Sequence, residues 1–200
     1  MRNERPVAVD TVVVVAASAG GITALQHVLA DLPPTFSGAL VIVQHRAPTR
    51  ASVLDQILQR VTPLPVVPIR GGERLAAGTI YLAPPDRHVV VTANGVLGLH
   101  DGTRVRHVRS SANPLFESAA KVFGPKVIAV VLTGGGTDAT DGVQTIRAHG
   151  GTVIVQDEAS SAVFGMPRSA IATGAASYVV PLHAIGRLLR ELTGAQPISQ

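Results

Sequence analysis

Three residues of this 200-residue chain have the types and the spacing that nucleophilic catalysis needs. Ser18 lies in Ala16-Ala17-Ser18-Ala19-Gly20-Gly21, directly after the apolar run Val12–Val15. His45 follows the apolar run Leu40–Val43 and Gln44, and Asp138 follows Val127–Leu132 and the bend Thr133-Gly134-Gly135-Gly136-Thr137. A serine hydroxyl becomes a useful nucleophile when a base takes its proton, and imidazole titrates in the right range for that. A carboxylate then fixes the imidazole tautomer and stabilises the imidazolium. The chain order Ser…His…Asp is not a usual hydrolase order, but such a group is defined by geometry. The glycine bend lets backbone N–H groups turn inward. With the N–H of Ala19, that of Gly135 would form an oxyanion hole.

Each residue also has a plainer reading. A strand-end serine or aspartate often only caps the following helix, and a strand-end histidine often only bonds a backbone carbonyl. The turn at Ser18 could also cradle a phosphate. That use calls for G-x-G-x-x-G and an acidic residue about 20 positions on, whereas this turn reads A-S-A-G-G and the next strand ends in Gln44-His45. The hydrolase elbow G-x-S-x-G is not met literally either, since Ala16 stands in place of the first glycine.

The elements that must position these groups can be read outward from Ser18. Four consecutive valines mark a strand buried on both faces of a parallel sheet, and Ile22, Leu25, Val28 and Leu29 mark the helix after it. Leu40–Val43 and Val127–Leu132 are strands of the same kind. Ser52–Arg60 reads as a short helix, and Pro63, Pro65 and Pro68 suit an extended connection. Ile80–Ala83, His88–Thr92 and Val96–Leu99 are short strands, with Asn94-Gly95 a hairpin signal. They predict an antiparallel excursion near residues 80–99, outside the parallel core. Asp101–Ser111 reads as a polar, basic loop. Asn113 reads as the cap of a helix with Pro114 at its first position. Strand Thr152–Val155, a helix near Arg168–Thr173, strand Ser177–Val180 and an amphipathic helix Ala184–Leu192 complete the chain. Strands alternating with helices give a doubly wound, mostly parallel α/β sheet flanked by helices. The expected organisation is a short leader over 1–10, one catalytic domain over 11–193, and a tail over 194–200.

Composition narrows the classes. Two hundred residues with 46% hydrophobic content bury a core without disulfides or metal staples, and the chain has no cysteine. No signal peptide and no run near 20 apolar residues is present, so a cytoplasmic location without membrane insertion is expected. The net charge of +4 suggests acidic partners. With 3% aromatic residues and no tryptophan, base stacking is scarce and nucleic acid is not an expected partner. No histidine pair has metal-site spacing, so neither metal nor other cofactor is expected.

Six ordered motifs carry a specific resemblance. They are A-S-A-G-G (Ala17–Gly21), Q-H-x-x-P (Gln44–Pro48), Y-L-A-P-P-D-R-H (Tyr81–His88), N-P-L-F-x-S (Asn113–Ser118), L-T-G-x-G-x-D (Leu132–Asp138) and Q-x-E-A-S…F-G-M-P-x-x-A (Gln156–Ala170). The chain resembles the catalytic domain of the chemotaxis protein-glutamate methylesterases from about Val13 to Leu189. The resemblance implies hydrolysis of glutamyl γ-methyl esters on the cytoplasmic helices of chemoreceptors, in some members with glutamine deamidation. It implies Ser18 as nucleophile, His45 as general base and Asp138, rather than Asp141, as the orienting carboxylate. Asp141 then suits the first turn of a helix.

The chain departs from the family at Ala19, where threonine is common, and at Gly135, where methionine is common. Arg46 replaces a frequent apolar residue, and R-S-S-A replaces R-P-S ahead of N-x-L-F. Arg46 and the basic Arg104, Arg106 and Arg109 are candidates for docking acidic receptor helices. With about ten residues ahead of the first strand, the expectation is a relative without the receiver domain usual in chemotaxis members. Two other classes remain: a receptor-binding relative without catalysis, and a phosphate- or nucleotide-binding module built on the Ser18 turn.

Overall fold

Strand β1, Val12–Ala17, is buried along its whole length, and its composition is the reason. Successive strand side chains alternate faces, so Val12, Val14 and Ala16 enter one core while Val13, Val15 and Ala17 enter another. A strand that is apolar at every position needs cover on both sides. The computed structural model, which describes residues 9–46, 53–100 and 110–194, supplies that cover. The expected leader ahead of residue 9 and the tail beyond 194 lie outside the described residues.

The chain continues through α1 (Gly21–Ala30), β2 (Ala39–Gln44), α2 (Leu54–Gln59), β3 (Val66–Pro68), β4 (Ile80–Leu82), β5 (His88–Val91) and β6 (Leu97–His100). It then forms α3 (Asn113–Phe123), β7 (Val127–Val131), α4 (Thr140–Ala148), β8 (Thr152–Gln156), α5 (Gly165–Ala172), β9 (Tyr178–Val180) and α6 (Leu182–Thr193). Seven strands make one sheet in the order β3-β4-β2-β1-β7-β8-β9, and every pairing in it is parallel. Helices α1, α2 and α6 bury Leu25, Leu29, Leu58, Ile185 and Leu189 in the core of one face. Helices α3, α4 and α5 bury Leu115, Phe116, Val143, Ile146 and Met166 in the other. Full burial of such a side chain stabilises the fold by roughly 1.5–3 kcal/mol, so both layers are firmly held.

Several elements differ from the sequence reading. Ile80–Leu82 belongs to the main sheet, parallel to β2 and β3. Among the described residues the antiparallel strand pair is β5 with β6, turning through Asn94 and Gly95, the latter at φ 67°. The proline-rich connection contains an edge strand, β3, whose Pro68 is tolerated because one side of an edge needs no ladder partner. Asn113 does not cap α3: the helix begins with it, and its Oδ1 accepts the N–H of Gly142 in α4 at 2.9 Å. Helix α5 begins at Gly165, three residues early, with Pro167 inside its first turn, where proline's missing N–H costs nothing. Of the expected polar loop, Ser110 and Ser111 are buried.

The sheet grows from β1 first toward β2 and, later in the chain, toward β7. That reversal places the topological switch point between β1 and β7. Open α/β sheets bind ligands in the crevice beyond the strands' carboxyl ends at such a point.

Candidate active site

Ser18 leaves the carboxyl end of β1 on that crevice. Its N–H donates to Thr133 O at 3.0 Å, and its carbonyl accepts the Gly21 N–H at 2.8 Å. The residue is half-buried, and among the described residues its hydroxyl has no hydrogen-bond partner. The glycine bend after β7 passes directly against it. A Cβ at Gly134 would stand 2.7 Å from Ser18 Cβ and 2.5 Å from Met166 Sδ, so close approach dictates glycine there. The Gly134 N–H is spent on Val163 O at 2.9 Å. The backbone N–H groups of Ala19 and Gly135 enter no hydrogen bond among the described residues, and both residues are exposed on the same crevice.

His45 follows β2, its N–H donating to Ala17 O at 2.9 Å. Its ring Nε2 lies 2.6 Å from Asp138 Oδ2 across 93 positions of sequence. The carboxyl of Asp138 is 4% exposed and has three donors on it. Besides His45, Ser111 Oγ donates to Oδ1 at 2.6 Å and the Ala112 N–H donates to Oδ2 at 2.8 Å. Burial alone pushes the carboxyl pKa up. The hydrogen bonds from His45, Ser111 and Ala112, with the charge of His45, outweigh burial and hold it below the ordinary carboxylate value. An ionised Asp138 accepts only, so in this bond the His45 Nε2–H is the donor. Asp141 is exposed in the first turn of α4, and the carboxylate that reaches His45 is that of Asp138.

Two expected outcomes arise from this carboxylate. Because its folded pKa is depressed, Asp138 contributes stability that is complete above the unfolded value of about 3.9 and is lost as pH falls through the folded value. The melting-temperature gap between the wild type and Asp138→Asn should therefore hold constant above about pH 5 and narrow below pH 4. A gap unchanged down to pH 2 would contradict this. Ser111→Ala removes a donor to the charged form, which moves the Asp138 pKa upward. A hydrogen bond to a charged group is worth roughly 1.5–3 kcal/mol, so any turnover that runs through the His45–Asp138 pair should drop about tenfold in kcat with KM within twofold, measured by steady-state kinetics.

Sequence reasoning missed Ser111, and it missed the residues that tie the loops together. Thr133 Oγ1 accepts the Val163 N–H at 2.9 Å and donates to Ala19 O at 3.0 Å. Gln156, fully buried, accepts the Thr133 N–H at 2.8 Å and donates to Ser160 O at 2.8 Å. Gln44 Nε2 donates to Ser18 O at 2.9 Å and to His45 O at 3.0 Å. Gln44 and Gln156 stand in two of the motifs, which was the available signal. Buried His88 accepts the Ser111 N–H on Nδ1 at 3.2 Å, a structural use.

Arg46 is turned onto the protein, with Nη2 donating to Ala83 O at 3.3 Å; burial lowers its pKa, opposed by the charge of Asp55. Arg104, Arg106 and Arg109 lie outside the described residues, as does Pro48. Among the described residues no group of three or more His, Cys, Asp and Glu could hold a metal ion.

A fully parallel, doubly wound sheet with serine, histidine and aspartate near its switch point defines an open α/β protein whose candidate site lies where such folds bind ligands. The family model described as CheB methylesterase matches residues 13–189, and the chain belongs to that family. It is 44% identical over 182 residues to "Protein-glutamate methylesterase/protein-glutamine glutaminase 2" of Anaeromyxobacter dehalogenans, covering 91% of this chain and 53% of that one. It is 40% identical over 190 residues to "Protein-glutamate methylesterase FrzG" of Myxococcus xanthus, covering 95% and 57%. This chain thus spans about half the length of the curated relatives it matches. The crystal structure of the Thermotoga maritima CheB methylesterase catalytic domain superposes with a TM-score of 0.87 at 36% identity, covering 91% of this chain and 98% of that one.

Proposed function

We propose that the chain is a serine esterase that hydrolyses glutamyl γ-methyl esters on chemoreceptor-type proteins. The observation that carries the reading is the 2.6 Å bond from His45 to a buried, threefold-bonded Asp138 at the crevice where Ser18 stands. The names of the relatives supply the substrate class.

In this reading Ser18 Oγ attacks the γ-carbonyl carbon while its proton passes to His45 Nδ1. Asp138, already bonded to Nε2, stabilises the imidazolium. The N–H groups of Ala19 and Gly135 hold the oxyanion of the tetrahedral intermediate. Its collapse breaks the C–OCH3 bond, and the imidazolium proton leaves with the methoxy group as methanol. Water then attacks the γ-glutamyl ester of Ser18, giving one proton to His45. The second collapse returns that proton to Ser18 Oγ and frees a glutamate side chain. Attack on a glutamine amide by the same steps would release ammonia, as the second half of several relatives' names describes.

The partner in this reading is a methylated receptor helix bundle, docked by the basic residues Arg104, Arg106 and Arg109. The reaction takes place in the cytoplasm, where such bundles lie; among the described residues no helix is long and apolar enough to cross a membrane. Methanol release from methylated chemoreceptor bundles tests the proposal. Release above the bundle alone supports it, and none from folded protein across several receptors would favour a receptor-binding relative without catalysis.

A further inference from the structure

Gln44 ends β2 opposite Ala17 in the parallel register, and it is 5% exposed. Its side-chain NH2 has two protons and uses both on carbonyls flanking the site: one on Ser18 O at 2.9 Å, the other on His45 O at 3.0 Å. Ser18 O also accepts the Gly21 N–H at 2.8 Å. The amide oxygen of Gln44 packs where a Cβ of residue 21 would be, so Gly21 closes the space around the side chain. One amide therefore spans the turn that bears the nucleophile and the strand end that bears the base.

The consequence runs through the peptide group between Ser18 and Ala19. It is planar, and no peptide bond described is cis, so its C=O and N–H point in opposite directions. Two donors pin the carbonyl end, which leaves the Ala19 N–H aimed away from Gln44 in a direction it cannot easily change. We infer that Gln44 is a positioning residue for the oxyanion donor Ala19 N–H, setting its direction through the Ser18 carbonyl while fixing the spacing between Ser18 and His45. This inference rests on the esterase reading and adds a residue outside the Ser-His-Asp group to it.

Losing one oxyanion donor outright typically costs about 10²–10³ in kcat. Misdirecting one should cost less, about 10–100-fold. Gln44→Met keeps the length and approximate volume but donates nothing. Gln44→Glu keeps an oxygen against Gly21 and, when ionised, sets a second one against two carbonyls. Both variants would be assayed for methanol release from the methylated bundle and for inhibition by a trifluoromethyl ketone, whose adduct with Ser18 places an oxyanion where the intermediate's would be. The expected result is kcat lowered about 10–100-fold, KM within threefold, and inhibitor affinity weakened by the same factor as kcat/KM. A purely structural strut would not couple those last two quantities.

If either variant folds with kcat and inhibitor affinity within twofold of wild type, the inference is overturned. It is equally overturned if both variants fail to fold, since Gln44 would then be a strut. A wild type that releases no methanol would sink the esterase reading itself, whereas an active wild type beside unaffected variants would sink only the role of Gln44.

Discussion

Ser18→Ala should abolish methanol release, lowering kcat roughly 10⁵-fold, while the protein stays folded and still binds its receptor bundle. The structure explains why the substitution separates chemistry from stability. The hydroxyl has no partner to lose among the described residues, and removing one unbonded hydroxyl from a half-buried position should move stability by no more than about 1 kcal/mol. The backbone bonds from Ser18 to Thr133, Gly21 and Gln44 do not involve the side chain. The close packing of Gly134 is against Cβ, which alanine keeps. A pull-down of the bundle by the variant, beside a methanol assay, reads both halves of this expectation. Equal release by variant and wild type would mean that another residue is the nucleophile.

Asp138→Asn is expected to lower kcat about 10³-fold with little change in KM. The magnitude follows from how the carboxylate is bonded. In triads where the amide forces the wrong imidazole tautomer, the same change costs about 10⁴. Here Oδ2 takes the His45 and Ala112 N–H groups, and Oδ1 faces Ser111 Oγ. An asparagine can place its oxygen at the first position and its NH2 toward the serine hydroxyl, which rotates to accept. The tautomer of His45 is then preserved, and what is lost is the negative charge opposite the imidazolium. Combining Asp138→Asn with Ser111→Ala removes the group that holds the amide in that orientation, so the double variant should fall a further tenfold. A double variant no worse than Asp138→Asn would show that Ser111 does not orient the side chain.

Much of the candidate site was legible because Ser18 and His45 directly follow strands, and Asp138 follows the glycine bend after a third, whose burial is written in their composition. Val12–Val15, Leu40–Val43 and Val127–Leu132 are apolar at every position, and such runs declare a covered parallel sheet. The residue after each run must then emerge at one edge. Short elements are less explicit. Ile80–Leu82 is three apolar residues long, and nothing local distinguishes a parallel partner of β2 from the first strand of a hairpin. Val66–Pro68 hides among prolines that only an edge position permits. The supporting residues were not legible for another reason: Ser111 meets Asp138 across 27 positions and Gln44 meets Ser18 across 26. Ser111 falls on no hydrophobic period or strand end, and Gln44, although it ends β2, meets Ser18 only because β2 lies beside β1. Their bonds exist only once the sheet order β2-β1-β7 has been assembled.

That sheet order also bears on how the protein is born. β1 lies in the middle of the sheet, yet its two neighbours are made at very different times. β2 follows within one helix, while Thr133, which closes the other side by bonding Ala19, comes 114 residues later. At a synthesis rate of roughly 5–20 residues per second, a strand of four valines waits several seconds on the ribosome with one edge unpaired, the arrangement most exposed to wrong partners. The candidate site therefore assembles late and all at once, and nascent chains short of β7 are where chaperones should be found bound.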